Sequence, residues 1–79
     1  INRAAALKIL FEASKLPQLS SVELHFSDVS ANAWFYTYVA SAVGHNIVSG
    51  YADGTFRPGH FITRAEVSKI VVKLLELLQ

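Results

Sequence analysis

Apolar residues recur at intervals of three and four in three stretches of the chain, and this spacing predicts a mainly α-helical module. The first stretch covers residues 1–16. Asn2 is its predicted N-cap, and Pro17 should end it because the residue before a proline is pushed out of the helical conformation. The apolar spacing from Trp34 to Val43 predicts a second helix, and that of residues 64–78 predicts a third.

The second helix carries an aromatic stripe. Ser30 or Asn32 can cap it, and Gly44 stands where the end of a helix favours a positive φ. The apolar face is formed by Trp34, Phe35, Tyr38, Val39, Ala42 and Val43. This stripe favours core packing, and it leaves open a second interpretation in which the ring of Trp34 stacks on a sugar.

The third helix is apolar around most of its circumference. Its polar side chains form one narrow stripe: Glu66, Lys69, Lys73 and Glu76. Thr63 is the predicted N-cap, and Glu66 three residues later can close a capping box. A helix this apolar is normally buried on several sides. We therefore expect it to pack against the first two helices and against a further module.

Turn-forming residues separate the second and third helices. Asp53 and Gly54 predict a tight turn between Tyr51 and Phe56, and "RPG" at residues 57–59 predicts another. Ahead of the second helix, Asp28 is expected to accept backbone hydrogen bonds within its own turn.

The chemistry-bearing residues argue against a metal site or an enzyme. One aspartate in the loop falls short of the acidic ligand set of a calcium site. The histidines lack metal-ligand spacing and are interpreted as surface residues: His25, His45 and His60. No nucleophile–base or paired-carboxylate arrangement is visible. We predict no metal, no cofactor and no catalytic residue.

Composition and charge narrow the class of partner. The 79 residues are 52% hydrophobic and 16% charged, which is more apolar surface than one small domain readily hides. We expect neighbouring modules to cover it, or self-association through the apolar helix. The net charge of +1 without a basic stripe argues against nucleic acid. The chain contains no cysteine, and no apolar run reaches the length of a membrane span.

An internal repeat links the two ends of the chain. Placing "INRAAALKIL" over "ITRAEVSKIV" aligns Ile1 with Ile62, Asn2 with Thr63, Arg3 with Arg64, Ala4 with Ala65, Lys8 with Lys69 and Ile9 with Ile70. A repeat of this kind is typical of modular arrays, in which each unit buries its apolar face against the next. We interpret the chain as a piece of such an array.

The repeated segment resembles the S-layer homology module. The residues that carry the resemblance are Phe26-Ser27-Asp28-Val29, Trp34, Ser49-Gly50-Tyr51, Asp53-Gly54-Thr55-Phe56-Arg57-Pro58 and Ile62-Thr63-Arg64-Ala65-Glu66. The resemblance covers residues 26–75, and "INRAAALKIL" is similar to the end of a preceding module. We expect residues 1–19 to be the closing helix of one repeat and residues 20–79 to be a complete repeat.

The resemblance implies a helical module that occurs in tandem, often as three copies around a shared bundle. It also implies non-covalent attachment of exported proteins to acidic, frequently pyruvylated polysaccharides of the bacterial cell wall, outside the cell. In the family, the arginine of the threonine-arginine-alanine-glutamate motif engages the anionic sugar substituent. That role transfers to Arg64 and less directly to Arg3, because Ala5 replaces the glutamate of the first copy.

The predicted ligand site lies at the start of the third helix. Arg64 would hold the anion, the loop with Tyr51, Asp53 and Gly54 would form one wall, and the helix of Arg3 would form the other. Trp34 is the further stacking candidate. Asn46 stands where the family usually has glycine, and asparagine tolerates the same left-handed conformation.

Two interpretations of the arginines remain open. A cation in the first turn of a helix opposes the helix dipole by about 0.3–1 kcal/mol, so its presence needs a reason. It can strengthen an anion site formed by the free N–H groups of the helix. Alternatively, Arg64 pairs with Glu66, with Asp53 or with an acid of a neighbouring module, and fixes the loop to the helix. In that case the chain is a structural module that packs against its siblings without binding glycan.

Overall fold

Three helices are found in the part of the chain that the structure describes. The computed structural model describes residues 1–17 and 23–78, and within them the helices are α1 (Arg3–Ser14), α2 (Tyr36–Gly44) and α3 (Arg64–Leu77). The described residues contain no strand and only an isolated antiparallel bridge between Asn2 and Phe61. The mainly α-helical prediction is therefore confirmed. The predicted repeat boundary at residues 19 and 20 lies outside the described residues.

Helix α1 begins as expected and ends earlier than expected. The Asn2 side chain accepts a hydrogen bond from the amide of Ala5, which satisfies one of the free donors of the first turn. The helix ends at Ser14, and the prediction that Pro17 ends it is wrong. Lys15 adopts the left-handed conformation with φ 57°, and its amide donates to Phe11. The turn at Lys15 therefore ends the helix ahead of Pro17.

Helix α2 is shorter than its apolar pattern. It begins at Tyr36 after a series of turns, and Phe35 at the N-cap position makes no side-chain cap. The hydroxyl of Ser30 accepts from the amide of Asn32, inside those turns and ahead of the helix. The expected positive φ at Gly44 is wrong, since Gly44 is the last helical residue. The left-handed residue is Asn46, with φ 60°.

Helix α3 is closed at its start by a capping box. The hydroxyl of Thr63 accepts from the amide of Glu66, and the Glu66 carboxylate accepts from the amide of Thr63. Its inner side buries Ile70 and Leu74. Four apolar residues near its C-terminal end remain between 43% and 56% exposed: Val72, Leu75, Leu77 and Leu78. The expected burial on several sides is therefore not reached within this chain.

The core lies between the three helices and the connections. Its buried side chains are Leu7, Phe11, Val29, Val39, Ala42, Ile47, Phe56, Ile70 and Leu74. Phe56 is fully buried, which contributes about 1.5–3 kcal/mol relative to an exposed position. The ring of Phe26 packs 5.5 Å from that of Phe56. Gly50 lies directly against Phe26, since a Cβ atom on Gly50 would fall 2.1 Å from Cε1 of that ring.

Trp34 is outside the core. Its side chain is 59% exposed and makes edge contacts with the rings of Phe35 and Tyr38 at 5.5 and 6.4 Å. The interpretation of Trp34 as a core anchor is therefore wrong, because Trp34 lies in the turns ahead of α2 and the buried residues of that helix begin only at Val39. The ammonium group of Lys8 lies 5.8 Å from the centre of the indole.

Candidate functional site

Arg3 is the most completely enclosed charged side chain among the described residues, at 6% exposure. Its Nε donates to the carbonyl of Phe56 at 3.1 Å, and its Nη1 forms an ion pair with Glu66. Nη2 lies 3.5 Å from the carbonyl of Ser49. The guanidinium also lies 4.5 Å from the ring centre of Phe56 and 5.3 Å from that of Tyr51, within the range of cation–π attraction.

The start of α1 places Arg3 in this position through its backbone. The amide of Arg3 donates to the carbonyl of His60 at 2.9 Å, and the amide of Ala4 donates to Pro58 at 3.1 Å. The amide of Ala5 is taken by the Asn2 cap. The N–H groups that make a helix N-terminus attractive to anions are therefore occupied in α1. The first turn of α1 is a docking point for the loop and offers little to an external anion.

Glu66 serves two elements at once. Its Oε1 accepts from the amide of Thr63 and closes the capping box of α3, while its Oε2 pairs with Arg3. The carboxylate remains 29% exposed and so faces the surface at one side. One acid therefore offsets the unfavourable position of an arginine on a different helix.

Asp28 fixes the loop from the other side. Its two oxygens accept from the amides of Phe56 and Arg57 at 2.8 and 2.7 Å. The expected role as an acceptor of backbone hydrogen bonds is confirmed, although the donors lie in the distant loop instead of in its own turn. Two such bonds to a carboxylate hold Arg57 in its left-handed conformation, with φ 61°.

Asp53 and Gly54 form the outer turn of the loop. Gly54 has φ 83°, and its amide donates to the carbonyl of Tyr51. Hydrogen bonds from the hydroxyl and the amide of Thr55 lower the pKa of the Asp53 carboxyl, with a smaller contribution from Arg57. The Arg57 guanidinium bridges Asp53 at 3.3 Å and lies 3.9 Å from the ring centre of Tyr51. This turn positions Tyr51 and does not itself reach the pocket.

An open pocket of about 280 Å³ lies between α1, the loop and the first turns of α3. We call it the Arg3 pocket, and its lining residues are Arg3, Ile47, Val48, Ser49, Gly50, Tyr51, Glu66, Lys69 and Ile70. Of the predicted ligand residues, only Arg3 and Tyr51 line it. The four that do not are Arg64, Asp53, Gly54 and Trp34.

Lys69 also lines the pocket, although its sequence context indicates this only weakly. The polar stripe of the third helix contains Lys69, and the repeat pairs it with Lys8, but neither observation distinguishes it from Lys73. Lys69 is exposed and belongs to neither of the two ion pairs found among the described residues. It is therefore a free cation at the rim of a pocket whose other charges, Arg3 and Glu66, balance each other.

Arg64 lies on the surface at the start of α3. Its side chain is exposed, and it takes part in no ion pair within residues 1–17 and 23–78. The helix start that it occupies is stabilised by the Thr63–Glu66 capping box. The two arginines that the repeat aligns thus lie in opposite environments.

The described residues contain neither a cluster of metal ligands nor a helix suited to span a membrane. The part of the chain that the structure describes has no cluster of three histidine, cysteine or acidic side chains able to hold a metal ion. None of its helices combines the length and the apolar content needed to cross a bilayer.

Comparison with known proteins gives consistent matches. The sequence model of the S-layer homology domain matches residues 25–68, more than half of the chain. The chain is 36% identical over 77 residues to the surface-layer 125 kDa protein of Lysinibacillus sphaericus, covering 98% of the chain and 6% of that protein. It is 38% identical over 81 aligned residues to the cellulosome-anchoring protein of Acetivibrio thermocellus, covering 99% and 18%.

A further relative is the middle cell wall protein of Brevibacillus brevis, 35% identical over 66 residues, which cover 84% of the chain and 6% of that protein. The chain thus spans less than a fifth of the length of each of these relatives. No solved structure matches it. The matched segment contains the loop, the capping box of α3 and most of the pocket lining. The chain therefore belongs to the S-layer homology domain family and is part of an extracellular protein of the bacterial cell surface.

Proposed function

We propose that this module anchors its parent protein to the cell surface by binding an acidic cell-wall polysaccharide in the Arg3 pocket. Membership of the family, with relatives named as surface-layer and cellulosome-anchoring proteins, supports the anchoring role. The proposed role is binding and not catalysis. Three acids near the pocket support this, because each already accepts hydrogen bonds within the chain: Asp28 ahead of α2, Asp53 of the loop and Glu66 at the start of α3.

The shape of the pocket suits one sugar residue of a longer chain. Its volume of about 280 Å³ lies just below the range of small-molecule sites, about 300–1,000 Å³, and so has room for a single small ring. Tyr51 is 36% exposed, and the part of its ring that Arg57 and Arg3 leave uncovered can contact the apolar side of a pyranose. Ser49 and Gly50 beside it present backbone groups for hydroxyl groups of the sugar.

The charge of the pocket favours an acidic sugar. Arg3 is neutralised by Glu66, which leaves the ammonium group of Lys69 as the uncompensated charge in the lining. A carboxylate substituent placed near Lys69 would gain a charge-assisted hydrogen bond. The observation that carries the proposal is this combination of a free lysine and an exposed tyrosine ring in one pocket.

The pocket changes the role proposed for the arginines. Arg3 shapes the site and orders its wall, and Lys69 contacts the anion. Arg64 lies outside the lining and therefore serves as a comparison position in the test.

Calorimetric titration with purified cell-wall polysaccharide tests the proposal. The Lys69→Ala variant should bind about tenfold more weakly, because one charge-assisted hydrogen bond is lost. The matched control is Lys73→Ala, which removes the same charge one turn further along α3 and outside the pocket. Raising the salt concentration should weaken binding by the parent chain and change binding by Lys69→Ala less.

Two results would contradict the proposal. If Arg64→Ala loses affinity while Lys69→Ala does not, the anion lies at the start of α3 and the pocket is misassigned. If the parent chain and all variants fail to bind, the structural alternative is favoured, in which the module packs against its siblings without glycan.

A further inference from the structure

We propose that Arg57 is a positioning residue for the Arg3 pocket: its guanidinium stacks on Tyr51 from outside the lining and holds that ring in the orientation that a sugar contacts. Where it concerns affinity, this inference rests on the proposed function. It adds a residue that does not itself line the pocket. The argument begins from a backbone conformation that disfavours arginine.

The backbone of Arg57 is left-handed, with φ 61°. Residues with a Cβ atom rarely adopt this conformation, whereas glycine adopts it without steric cost. Two other non-glycine residues with a positive φ occur within residues 1–17 and 23–78, and each has a local reason. Lys15 ends α1, where a left-handed residue is common, and asparagine, as at Asn46, tolerates the conformation. Arg57 lies in a loop, and neither reason applies to it.

The hydrogen bonds that maintain this conformation come from the backbone of Arg57. Its amide donates to the carboxylate of Asp28 at 2.7 Å, and its carbonyl accepts from the amide of His60 at 3.2 Å. A glycine could make both bonds at a lower steric cost. The presence of an arginine at this position therefore needs a reason in the contacts of its side chain.

The side chain of Arg57 contacts Tyr51. Its guanidinium lies 3.9 Å from the centre of the tyrosine ring, which is close enough for stacking and cation–π attraction. The same guanidinium lies 3.3 Å from the carboxylate of Asp53, and this ion pair orients it. Tyr51 lines the pocket and Arg57 does not, so the contact supports the pocket wall from its outer side.

The ring of Tyr51 has few other supports. The amide of Tyr51 donates to the carbonyl of Thr55 at 2.8 Å, which fixes its backbone and leaves the side-chain torsions free. Arg3 lies farther from the ring centre, at 5.3 Å. A half-exposed side chain without close contacts samples several rotamers, and ordering it on binding reduces affinity. Arg57 removes this cost because it orders the ring before the sugar arrives.

The first test needs no ligand. Three-bond couplings between Hα and the Hβ protons of Tyr51 report the χ1 rotamer, and they should indicate one rotamer in the parent chain. They should be averaged in Arg57→Asn, since asparagine accepts the left-handed backbone but cannot stack on the ring. Lys15→Asn is the matched control, because it removes a cation from an exposed left-handed position outside the pocket. Its Tyr51 couplings should equal those of the parent chain.

Calorimetric titration with the same purified cell-wall polysaccharide measures the consequence for binding. Arg57→Asn should bind about three- to tenfold more weakly, which corresponds to ordering one side chain on binding. Lys15→Asn should stay within about twofold of the parent chain, and Arg57→Lys should recover only part of the loss because it lacks the planar group. The melting temperature of Arg57→Asn should remain within about 4 °C of the parent value, since a surface ion pair contributes little to stability.

A double-mutant cycle tests whether Arg57 acts through Tyr51. In a Tyr51→Ala chain, Arg57→Asn should cause no further loss of affinity. An equal loss in both backgrounds would mean that Arg57 attracts the polysaccharide by its charge alone, and this result overturns the proposal. Identical Tyr51 couplings in the parent chain and Arg57→Asn overturn it as well. If the parent chain does not bind but the couplings change as expected, the proposed function fails and the positioning of Tyr51 by Arg57 is supported.

Discussion

Arg3 and Arg64 occupy the same position of the same motif, and their surroundings have almost nothing in common. Each is the first residue of a helix that follows a capping residue, Asn2 or Thr63. Arg3 is 6% exposed and contacts Phe56 and Glu66, whereas Arg64 is at the surface. The motif therefore determines where each helix begins. The segment that packs against the helix determines whether its arginine is buried and paired with an acid.

The comparison also explains how a cation is tolerated in the first turn. An arginine there opposes the helix dipole by about 0.3–1 kcal/mol. In α3 the acid that offsets it, Glu66, belongs to the same first turn. Helix α1 has no acid in its first turn and pairs its arginine with Glu66 of the other helix. A single carboxylate therefore serves both copies of the motif.

The largest expected effect on stability comes from removing Arg3, and the removal of Arg64 provides the comparison. Arg3→Ala should lower the free energy of unfolding by about 3 kcal/mol, because it leaves Glu66 and the carbonyl of Phe56 without their partner. Arg64→Ala should change it by no more than about 0.5 kcal/mol. Urea unfolding of both variants measures the difference. The double variant Arg3→Met with Glu66→Gln should be more stable than Arg3→Ala; equal losses for the two arginines would remove the contrast between the copies.

A smaller effect is expected from disturbing the loop without touching either arginine. Gly50→Ala places a methyl group 2.1 Å from a ring atom of Phe26, so the pocket wall must shift, at about 2 kcal/mol. Gly59→Ala is the matched control, since its Cβ would meet no atom within 4 Å. In thermal melts, the melting temperature of Gly50→Ala should be clearly lower than that of Gly59→Ala. If they melt alike, the close packing of Gly50 against Phe26 does not limit stability.

Making the first copy more like the second should have a modest stabilising effect. Ala5→Glu supplies the missing glutamate of the capping box at Asn2 and an acid in the first turn of α1, for a gain of about 0.5–1 kcal/mol. Ala13→Glu adds the same charge at the opposite end of α1, where the dipole disfavours it. Urea unfolding should show a gain for the first and none for the second. Equal changes in the free energy of unfolding would indicate an effect of net charge and would argue against formation of a capping box at Asn2.

The smallest effect concerns the outer turn of the loop that receives Arg3. The pKa of Asp53 is lowered from the ordinary value of 3.8 by hydrogen bonds from Thr55. Because the folded state holds the carboxylate form, this contribution to stability is present above that value and is lost as the pH falls through the lower folded-state pKa. The amide resonance of Thr55 should titrate below pH 3.8 in the parent chain and show no such step in Asp53→Asn. A midpoint at or above 3.8 would contradict the hydrogen-bonded geometry.

The local features of the fold were readable from the chain because they depend on neighbouring residues. The Thr63 and Glu66 spacing indicates the capping box, and the tolerance of asparagine for left-handed conformations is consistent with φ 60° at Asn46. The predictions for the ends of α1 and α2 and for the burial of Trp34 are wrong. Each of these depends on which surfaces other segments cover, and the apolar periodicity of one segment does not contain that information.

The candidate site was only partly predictable for the same reason. Tyr51 and Arg3 line the pocket, as the loop motif and the repeat suggested that they could. Lys69 could not be distinguished from Lys73, because both lie on one polar stripe and only the tertiary structure brings one of them to the loop.

Residue type and spacing within short segments are sufficient to identify the family, the helical character, the caps of α1 and α3 and the duplication of the motif. The burial of Arg3, its pairing with Glu66 and the position of Lys69 at the pocket do not follow from such local patterns. They depend on contacts between segments that are distant in the sequence. Arg3 and Glu66, for example, are 63 positions apart. The two copies of the motif both start a capped helix. Their arginines differ because a different segment packs against each copy.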